Sequence, residues 1–410
     1  MSYNILKINE NVLQDDSITR YQYHTHQPYS SSTFNNNDEI RIPIQTQDLY
    51  TLPSQSFLYL EGTLLKNDKT YSANVSFINN GILFLFDEIR YEMGGTVIDR
   101  VRNPGITSTM KGYVSFTQLE GRTSLKNAGW NNEGENSNII DTKGNFSVCI
   151  PLKMLMGFGE DFHKIVMNQR QELILIRSNS DLNAIKQKTE DKKESYKVTI
   201  NKIHWKMPHI TVSDHQKLRL LKHFESNREL NIAFRGWELH EYPELQQAKS
   251  HSWAVKSTNQ LEKPRFVIIA FQTGFKYNLS KNMSHFTHCD LINLKVFLNS
   301  EVYPYDNLNL DFNNNKFSIL YEMYAQFQKS YYYKQYADPC FDPSSFKNIA
   351  PFVVVDCSRQ SEDILKGGAV DIRIEFETDK VLPPNTTVYC LLLHDKLVKY
   401  NPLTSTVRVI

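Results

Sequence analysis

The sequence predicts an all-β fold made of two tandem jelly-roll β-sandwiches, with a few short helices in the loops. The chain has 410 residues, and because single hydrophobic cores seldom grow beyond about 250–300 residues, two domains are expected. Aromatic residues make up 12% of the chain, with 22 Tyr and 23 Phe, and such side chains favour sheets. A third observation is a strand–turn–strand–helix pattern that occurs once in each half of the chain.

The repeated pattern is centred on a β-hairpin. Residues 89–93 and 96–99 flank the turn Gly94–Gly95 in the first half, and residues 294–298 and 301–303 flank Asn299–Ser300 in the second. Both turn sequences tolerate the positive φ that a tight hairpin needs. Further strands begin near Phe146 and Phe352, at nearly the same distance past the two turns. A duplicated unit of roughly 200 residues is therefore expected.

The first half begins with a polar, mixed segment over residues 1–40, where we expect an N-terminal arm. Strands are predicted at residues 40–44, 57–65, 89–93, 96–99, 146–151, 172–177 and 196–205, with a short helix over 108–119. The charged run 186–194 is typical of a solvated hairpin tip. We place the first jelly roll at residues 41–206.

The second half, residues 207–410, repeats this layout as a second jelly roll. Strands are predicted at residues 230–239, 252–256, 266–273, 291–298, 301–303, 352–357, 370–376 and 387–394. A helix is predicted after the hairpin, because Leu320, Met323, Tyr324, Phe327 and Tyr331 form an amphipathic stripe. About eight strands in each half favour a sandwich of jelly-roll type.

The strands differ in how many faces are apolar. Residues 370–377 alternate, with Ile372, Ile374 and Phe376 on one face, which predicts one solvated face. Residues 173–176, 352–355 and 390–393 are apolar at consecutive positions, so both faces need cover from a helix, the other domain or another subunit. We expect these runs and the Tyr-rich segments to supply a subunit interface.

Composition excludes several classes of protein. The net charge is +1 without a basic tail, which argues against a protein that holds nucleic acid by itself and leaves at most weak contact. The five cysteines are scattered and lack paired spacing, as in a reducing compartment. No signal-peptide core or membrane-spanning apolar run occurs, so synthesis in the cytoplasm or nucleus is expected, with no transmembrane segment.

Two histidine motifs have spacings that metal ligands can show. His24 and His26 share one side of an extended segment, and His285, His288 and Cys289 lie close together. Neither group has the second cluster that a tetrahedral site requires, so ordinary strand and loop roles are favoured and no metal is predicted.

No catalytic site is predicted. Glu375 and Glu377 share a strand face in the manner of a glycosidase acid pair, but Arg373 lies on the same face, which favours a solvated, charge-mixed surface. Nucleophile-elbow, phosphate-loop and zinc-protease motifs are absent from the sequence. We therefore predict a protein that is not an enzyme and has no cofactor.

Two aromatic clusters stand out, Tyr303–Pro304–Tyr305 and Tyr331–Tyr332–Tyr333. Such clusters serve as stacking platforms for a sugar or base in some proteins. Without interleaved basic residues, core packing or subunit-interface anchoring is the better interpretation.

The sequence from about residue 250 to 410 resembles the double jelly-roll major capsid proteins of Polinton-like and adintovirus-like elements. The motifs that carry the resemblance are QLEKPRFVIIAFQT (260–273), FLNS (297–300), YPYD (303–306), ILYEMY (319–324), VDCS (355–358), HD (394–395) and YNPLT (400–404). The first half resembles the family in its layout. The resemblance is to the family and does not identify a particular virus.

The resemblance implies a shell-building protein. Members of this lineage form homotrimers that serve as pseudo-hexagonal capsomers and tile an icosahedral shell, with single jelly-roll penton proteins at the vertices and minor capsid proteins inside. It implies localisation in the virion and no catalytic residues. The alternatives are a non-viral or host-domesticated tandem sandwich that binds carbohydrate or protein, and a β-sandwich glycosidase that depends on Glu375 or Glu377.

Overall fold

A computed structural model describes residues 17–29, 34–44, 50–132, 139–189, 194–225, 229–256, 264–359 and 370–410. The predicted hairpin tip at 186–194 lies partly outside these ranges.

Twenty strands account for most of the regular structure of the described chain. They are β1 (Ile18–His26), β2 (Glu39–Ile44), β3 (Tyr50–Thr51), β4 (Phe57–Lys66), β5 (Val75–Phe77), β6 (Phe86–Met93), β7 (Thr96–Arg102), β8 (Asn145–Pro151), β9 (Gln171–Arg177), β10 (Ile185–Gln187), β11 (Tyr196–Val212), β12 (Leu230–Tyr242), β13 (Ser250–Lys256), β14 (Pro264–Thr273), β15 (Leu291–Leu298), β16 (Glu301–Tyr303), β17 (Val353–Asp356), β18 (Ile372–Thr378), β19 (Thr386–Asn401) and β20 (Thr406–Val409). The fold class predicted from the sequence is confirmed.

Six short α-helices lie between these strands in the described ranges. They are α1 (Pro104–Ser115), α2 (Gln118–Arg122), α3 (Gly157–Asp161), α4 (Asp214–Glu225), α5 (Ser318–Tyr332) and α6 (Pro343–Ile349). The amphipathic stripe correctly predicted α5.

The helix predicted at 108–119 is instead two helices, α1 and α2. Pro104 starts α1 early because its fixed φ suits the first helical turn. Thr117 accepts a hydrogen bond from the backbone N–H of Glu120, and the Glu120 carboxylate accepts one from the backbone N–H of Thr117. This capping box begins a new helix rather than continuing the first.

The two halves have the same sheet topology. In the first half, one antiparallel sheet has the order β1-β11-β4-β8 and the other β2-β9-β6-β7. In the second half, the orders are β12-β19-β14-β17 and β13-β18-β15-β16. When the eight main strands of each half are counted in chain order, both halves read 1-8-3-6 and 2-7-4-5. This is the eight-stranded jelly-roll arrangement, and it confirms the predicted repeat.

The hairpin turns that revealed the repeat have the expected backbone. Gly94 and Gly95 have φ of 58° and 79°, and Asn299 has φ of 53°. In the first half the turn joins β6 to β7, and in the second it joins β15 to β16. The two turns therefore connect the fourth and fifth main strands of their halves.

Part of the N-terminal segment is a strand, β1, rather than an arm. Ile18–His26 pairs with the end of β11, so part of the predicted arm is a strand of the first sheet. Side chains of β1 are exposed except for the half-buried His26, which explains why no apolar alternation marks this strand in the sequence. Strand β11 also continues to Val212, past the predicted boundary at 206/207. Neither predicted limit coincides with a strand end, and the division into domains stays a prediction.

The consecutive apolar runs are covered within the chain. Helix α5 lies on β17, and Phe327 of α5 packs edge-on against Phe266 of β14, with ring centroids 5.0 Å apart. In β9, Ile174 is fully buried between Arg41 and Arg90, its neighbours on the adjacent strands. Their aliphatic stems shield such a position while the guanidinium groups stay in water. The prediction that these runs supply a subunit interface was wrong.

Candidate functional site

The histidines of β1 meet a third histidine that the sequence did not suggest. His209 of β11 stacks on His24 with ring centroids 4.3 Å apart, and its Nε2 lies 3.0 Å from Nε2 of His26. Burial, followed by the charge of His24, lowers the pKa of both His26 and His209 to about 4. In the described part of the chain, no group of three or more His, Cys, Asp or Glu residues could hold a metal ion.

The second histidine motif forms the turn into β15. The Asp290 backbone N–H donates to Nδ1 of His288 over 3.0 Å, and the His288 ring stacks on Phe312. Cys289 Sγ lies 3.3 Å from Oγ1 of Thr287. Burial lowers the pKa of His288 and raises that of Cys289. The structure thus places these side chains in the local packing of the turn.

The carboxylates of β18 lie on a charged sheet face. Ile372, Ile374 and Phe376 are buried, as the alternation predicts. Glu375 lies 3.2 Å from Arg373 and opposite Lys295 of β15. This is the mixed, partly exposed surface expected from the sequence.

The two aromatic clusters separate in the structure. Tyr305 and Tyr333 are exposed, whereas Tyr331 is buried and Tyr332 is partly buried at the contact between the two halves. Buried charged and polar side chains of the described chain cluster at this contact between the two halves. We call the contact the seam. It is formed by β7, α1 and α3 of the first half with β12 and α5 of the second.

Lys111 of α1 is the buried charge of the seam. Its Nζ donates to Oε1 of Glu160 (2.8 Å), Oγ of Ser115 (2.7 Å) and the hydroxyl of Tyr332 (2.9 Å). The ammonium group also lies 4.4 Å from the ring centroid of Tyr331. Burial lowers the pKa of Lys111, and Glu160 opposes this shift. All three N–H donors are therefore paired, which a buried ammonium requires.

Arg235 of β12 forms an ion pair across the seam with Asp161 of the first half. Its Nε and Nη2 donate to the two carboxylate oxygens of Asp161 on α3, at 2.7 and 2.6 Å. The guanidinium carbon lies 3.5 Å from the ring centroid of Tyr331. Burial opposes the charge, but the hydrogen bonds to Asp161 raise the pKa of Arg235 above its ordinary value. A bidentate pair of this kind fixes orientation as well as distance.

Gly157 allows the two backbones to meet. A Cβ at this position, the first residue of α3, would lie 1.7 Å from the carbonyl oxygen of Arg235. Any other residue would push α3 and β12 apart. Beside this contact, Phe158 of α3 packs edge-on against Phe234 of β12 at 5.6 Å.

Helices α1 and α5 are joined by buried hydrogen bonds. The Tyr324 hydroxyl donates to the backbone carbonyl oxygen of Tyr113 over 2.9 Å. The Tyr113 hydroxyl donates to the backbone carbonyl oxygen of Ser284 over 3.1 Å. Gln328 Nε2 donates to the carbonyl oxygen of Ser115 over 3.2 Å. Since these pairs join residues from the two halves, they hold both jelly rolls in one fixed orientation.

The C-terminal hairpin adds a further contact between the halves. Asn168 Nδ2 donates to the carbonyl oxygen of Pro402 over 2.7 Å, and Val407 of β20 lies beside Gly94. In addition, Nζ of Lys396 lies 3.4 Å from Oδ1 of the fully buried Asp99. The hairpin turn that revealed the repeat is therefore itself part of the contact between halves.

Few features of the sequence indicate the seam. Lys111, the adjacent pair Glu160–Asp161, and Arg235 are far apart in the chain and stand in no recognisable motif. One usable signal is Lys111 itself, a charged residue within the mostly uncharged run of 103–118.

Comparison with known proteins identifies the family to which this architecture belongs. The family model of the double jelly roll-like domain matches residues 75–398. The chain belongs to the double jelly roll-like domain family. The matched range contains all five elements of the seam and the second jelly roll up to residue 398, whereas β1 to β4 of the first jelly roll lie before it.

Three solved structures of viral proteins are similar to this chain along almost their whole length. The Sputnik virophage structure matches with a TM-score of 0.64 and 9% identity, over 100% of this chain and 92% of that chain. The capsid of the virus PBCV-1 matches with 0.62 and 10%, over 98% of each chain. The mavirus major capsid protein matches with 0.58 and 13%, over 95% and 90%. At these identities the similarity concerns the fold.

No curated protein matches the chain. Within the described ranges, the helices are too short or too polar to span a membrane.

Proposed function

We propose that this double jelly-roll protein is a major capsid protein that assembles as homotrimeric, pseudo-hexagonal capsomers into an icosahedral virus shell. The observation that carries the proposal is the seam, in which buried ion pairs and hydrogen bonds fix two jelly rolls of one topology as a single unit. A shell subunit needs this rigidity, because a lattice repeats only if each copy has the same shape. The similar fold in proteins named as viral capsid proteins supports it.

The finer parts of the proposal rest on the sequence motifs. We place the protein in the Polinton-like and adintovirus-like lineage on the motifs between residues 250 and 410. Its further partners would be a penton single jelly-roll protein and minor capsid proteins, and its location the virion. We propose no catalytic role, cofactor or metal for it.

Light scattering coupled to size-exclusion chromatography tests the assembly unit. The chain has a mass of 47.8 kDa, and the proposal predicts one species of three times that mass at micromolar concentration. A stable monomer or dimer would contradict the proposal and favour the alternative, a tandem sandwich that binds carbohydrate or protein.

A further inference from the structure

Strand β1 is attached to the first jelly roll chiefly through its pairing with β11. Its side chains are exposed except for the half-buried His26, so the strand buries little apolar surface. Residues 207–212 of β11 pair with β1 and, at two positions, with β3. Tyr23 adds a ring contact with Phe57, with centroids 5.3 Å apart. Segments with few buried apolar contacts open at a lower free energy than the core of a domain.

Three imidazoles form the buried part of this attachment. Successive residues of a strand point to opposite faces, so His24 and His26 share the face of β1 that carries Gln22, the residue opposite His209. The ring of His209 stacks on that of His24 with centroids 4.3 Å apart, and on that of His26 at 5.2 Å. Nε2 of His26 lies 3.0 Å from Nε2 of His209, which is only 3% exposed. We call these three histidines the histidine cluster.

The histidine cluster fits neutral rings and does not fit charged ones. A hydrogen bond between two Nε2 atoms requires that one of them carries a proton and the other does not. The second nitrogen of His209, Nδ1, is buried and has no hydrogen-bond partner in the described chain. An imidazolium at this position would bury an N–H group without an acceptor, and two charged rings would place two N–H donors face to face. Burial of an unpaired charged donor is costly.

Within the described chain, no carboxylate acts on His26 or His209 to offset this cost. The charge of His24 disfavours protonation of both rings, and that of His26 disfavours protonation of His209. The charged or titratable side chains next to the cluster in the surrounding elements are Arg20, Tyr21 and Tyr23 of β1, His204 and Lys206 of β11, Tyr50 of β3, Tyr59 of β4, Glu39 and Arg41 of β2, and His163 and Lys164 of the loop that bridges to β3. The carboxylate of this set, Glu39, accepts a hydrogen bond from Arg41 over 2.6 Å.

The second jelly roll is built differently at the equivalent place. Its first main strand, β12, also lies at a sheet edge and pairs with the eighth strand, β19. Strand β12 is anchored by the buried apolar side chains of Ile232, Phe234 and Trp237. Because apolar anchors do not titrate, acid should loosen the edge strand of the first jelly roll before that of the second.

We infer that the histidine cluster is an acid-operated switch, which releases β1 from β11 while the rest of the fold stays intact. The open strand takes up protons at the ordinary histidine pKa of 6.5, whereas in the closed strand burial lowers the pKa of His26 and His209 to about 4. Protonation therefore favours the open strand as the pH falls from 6.5 towards 4. This release goes beyond the proposed capsid role and can be measured whether or not the chain assembles.

Hydrogen–deuterium exchange with mass spectrometry tests the release of β1. The purified protein is labelled at pH 7, 6 and 5, with labelling times scaled for the intrinsic pH dependence of amide exchange. We expect amides of residues 19–26 and 207–212 to lose protection by at least tenfold between pH 7 and pH 5. The hairpin 86–102, which contains no histidine, should keep its protection. Residues 19–26 that stay protected at pH 5, or that open only together with the hairpin, would overturn the switch.

Substitutions show whether the histidines cause the release. In His26→Gln/His209→Gln, folded by circular dichroism at pH 7, protection of residues 19–26 should no longer depend on pH. If the double variant does not fold, His26→Gln alone alters a half-buried position and should still reduce the pH dependence. His204→Gln, on the opposite face of β11, is the matched control and should retain the full loss of protection. An undiminished loss in the folded His26 variants would overturn the role of the cluster, while a monomer that shows the release would contradict only the proposed capsomer.

Discussion

The ammonium group of Lys111 lies 2.8 Å from the carboxylate of Glu160, and the pair joins α1 to α3 where both meet α5. The Lys111 side chain is only 2% exposed. Desolvation makes such a pair costly to form, and removal of one partner leaves the other charge buried without compensation. The pair therefore matters less as a source of net stability than as a constraint on how the halves fit.

Lys111→Ala should destabilise the protein by about 3–5 kcal/mol, the range seen when one member of a buried pair is removed. The double variant Lys111→Met/Glu160→Gln should recover much of this loss, because no buried charge then remains unpaired. Urea unfolding followed by tryptophan fluorescence measures both. An equal loss in the single and double variants would show that the charges do not act as a pair.

Gly157→Ala should loosen the seam without unfolding either jelly roll. The added Cβ meets the Arg235 carbonyl oxygen, a backbone atom that cannot rotate away, and overpacking of this kind costs about 1–3 kcal/mol. Limited proteolysis should then cut between the halves faster than in the unmodified protein. Lys164→Ala, an exposed position that follows α3, serves as the control and should leave the cleavage rate unchanged.

Stability should fall as the pH drops from about 6.5 to about 4. His26 and His209 have folded pKa values of about 4, below the ordinary value of 6.5, so the unfolded chain binds more protons in this interval. The contribution of the neutral imidazoles is complete above pH 6.5 and is lost as the pH approaches 4.

Melting temperatures at pH 7 and pH 5 measure this effect. The double variant His26→Gln/His209→Gln should show a smaller drop between the two pH values than the unmodified protein. His215→Gln, on the exposed face of α4, should retain the full drop. An unchanged pH dependence in the double variant would rule out the histidine contact between β1 and β11 as the cause.

The cysteines should differ sharply in reactivity. Burial raises the pKa of Cys340, Cys357 and Cys390 well above the ordinary value, so their thiolate fraction and access are both low. Ellman's reagent should modify at most Cys149 and Cys289 in the folded protein. All five free thiols should react in denaturant. Rapid reaction of more than two thiols without denaturant would contradict the packing described here.

Local sequence chemistry predicted the repeat because its signals lie within a few residues. Gly94–Gly95 and Asn299 mark turns through their backbone conformation, and the stripe around Leu320 marks α5 through its period. Strand β1 was not predicted, because its side chains show no alternation of buried and exposed positions. The strand is defined by its pairing with β11, and that partner lies far along the chain.

The seam could not be predicted because its members are brought together only by the fold. Arg235 and Asp161 come from different jelly rolls. The residues next to each of them in the sequence do not indicate a buried ion pair. Of the two interpretations of Tyr331 and Tyr332, core packing and subunit-interface anchoring, the structure supports core packing, and the sequence could not separate them for the same reason. A Tyr-rich segment indicates an interface, and here that interface lies within one chain.

Negative-stain electron microscopy of the purified protein shows whether the chain forms capsomers. A major capsid protein should give uniform particles with a pseudo-hexagonal outline, each built from three chains, and closed shells at high protein concentration. Compact two-lobed monomers with no hexagonal outline at any concentration would contradict this role.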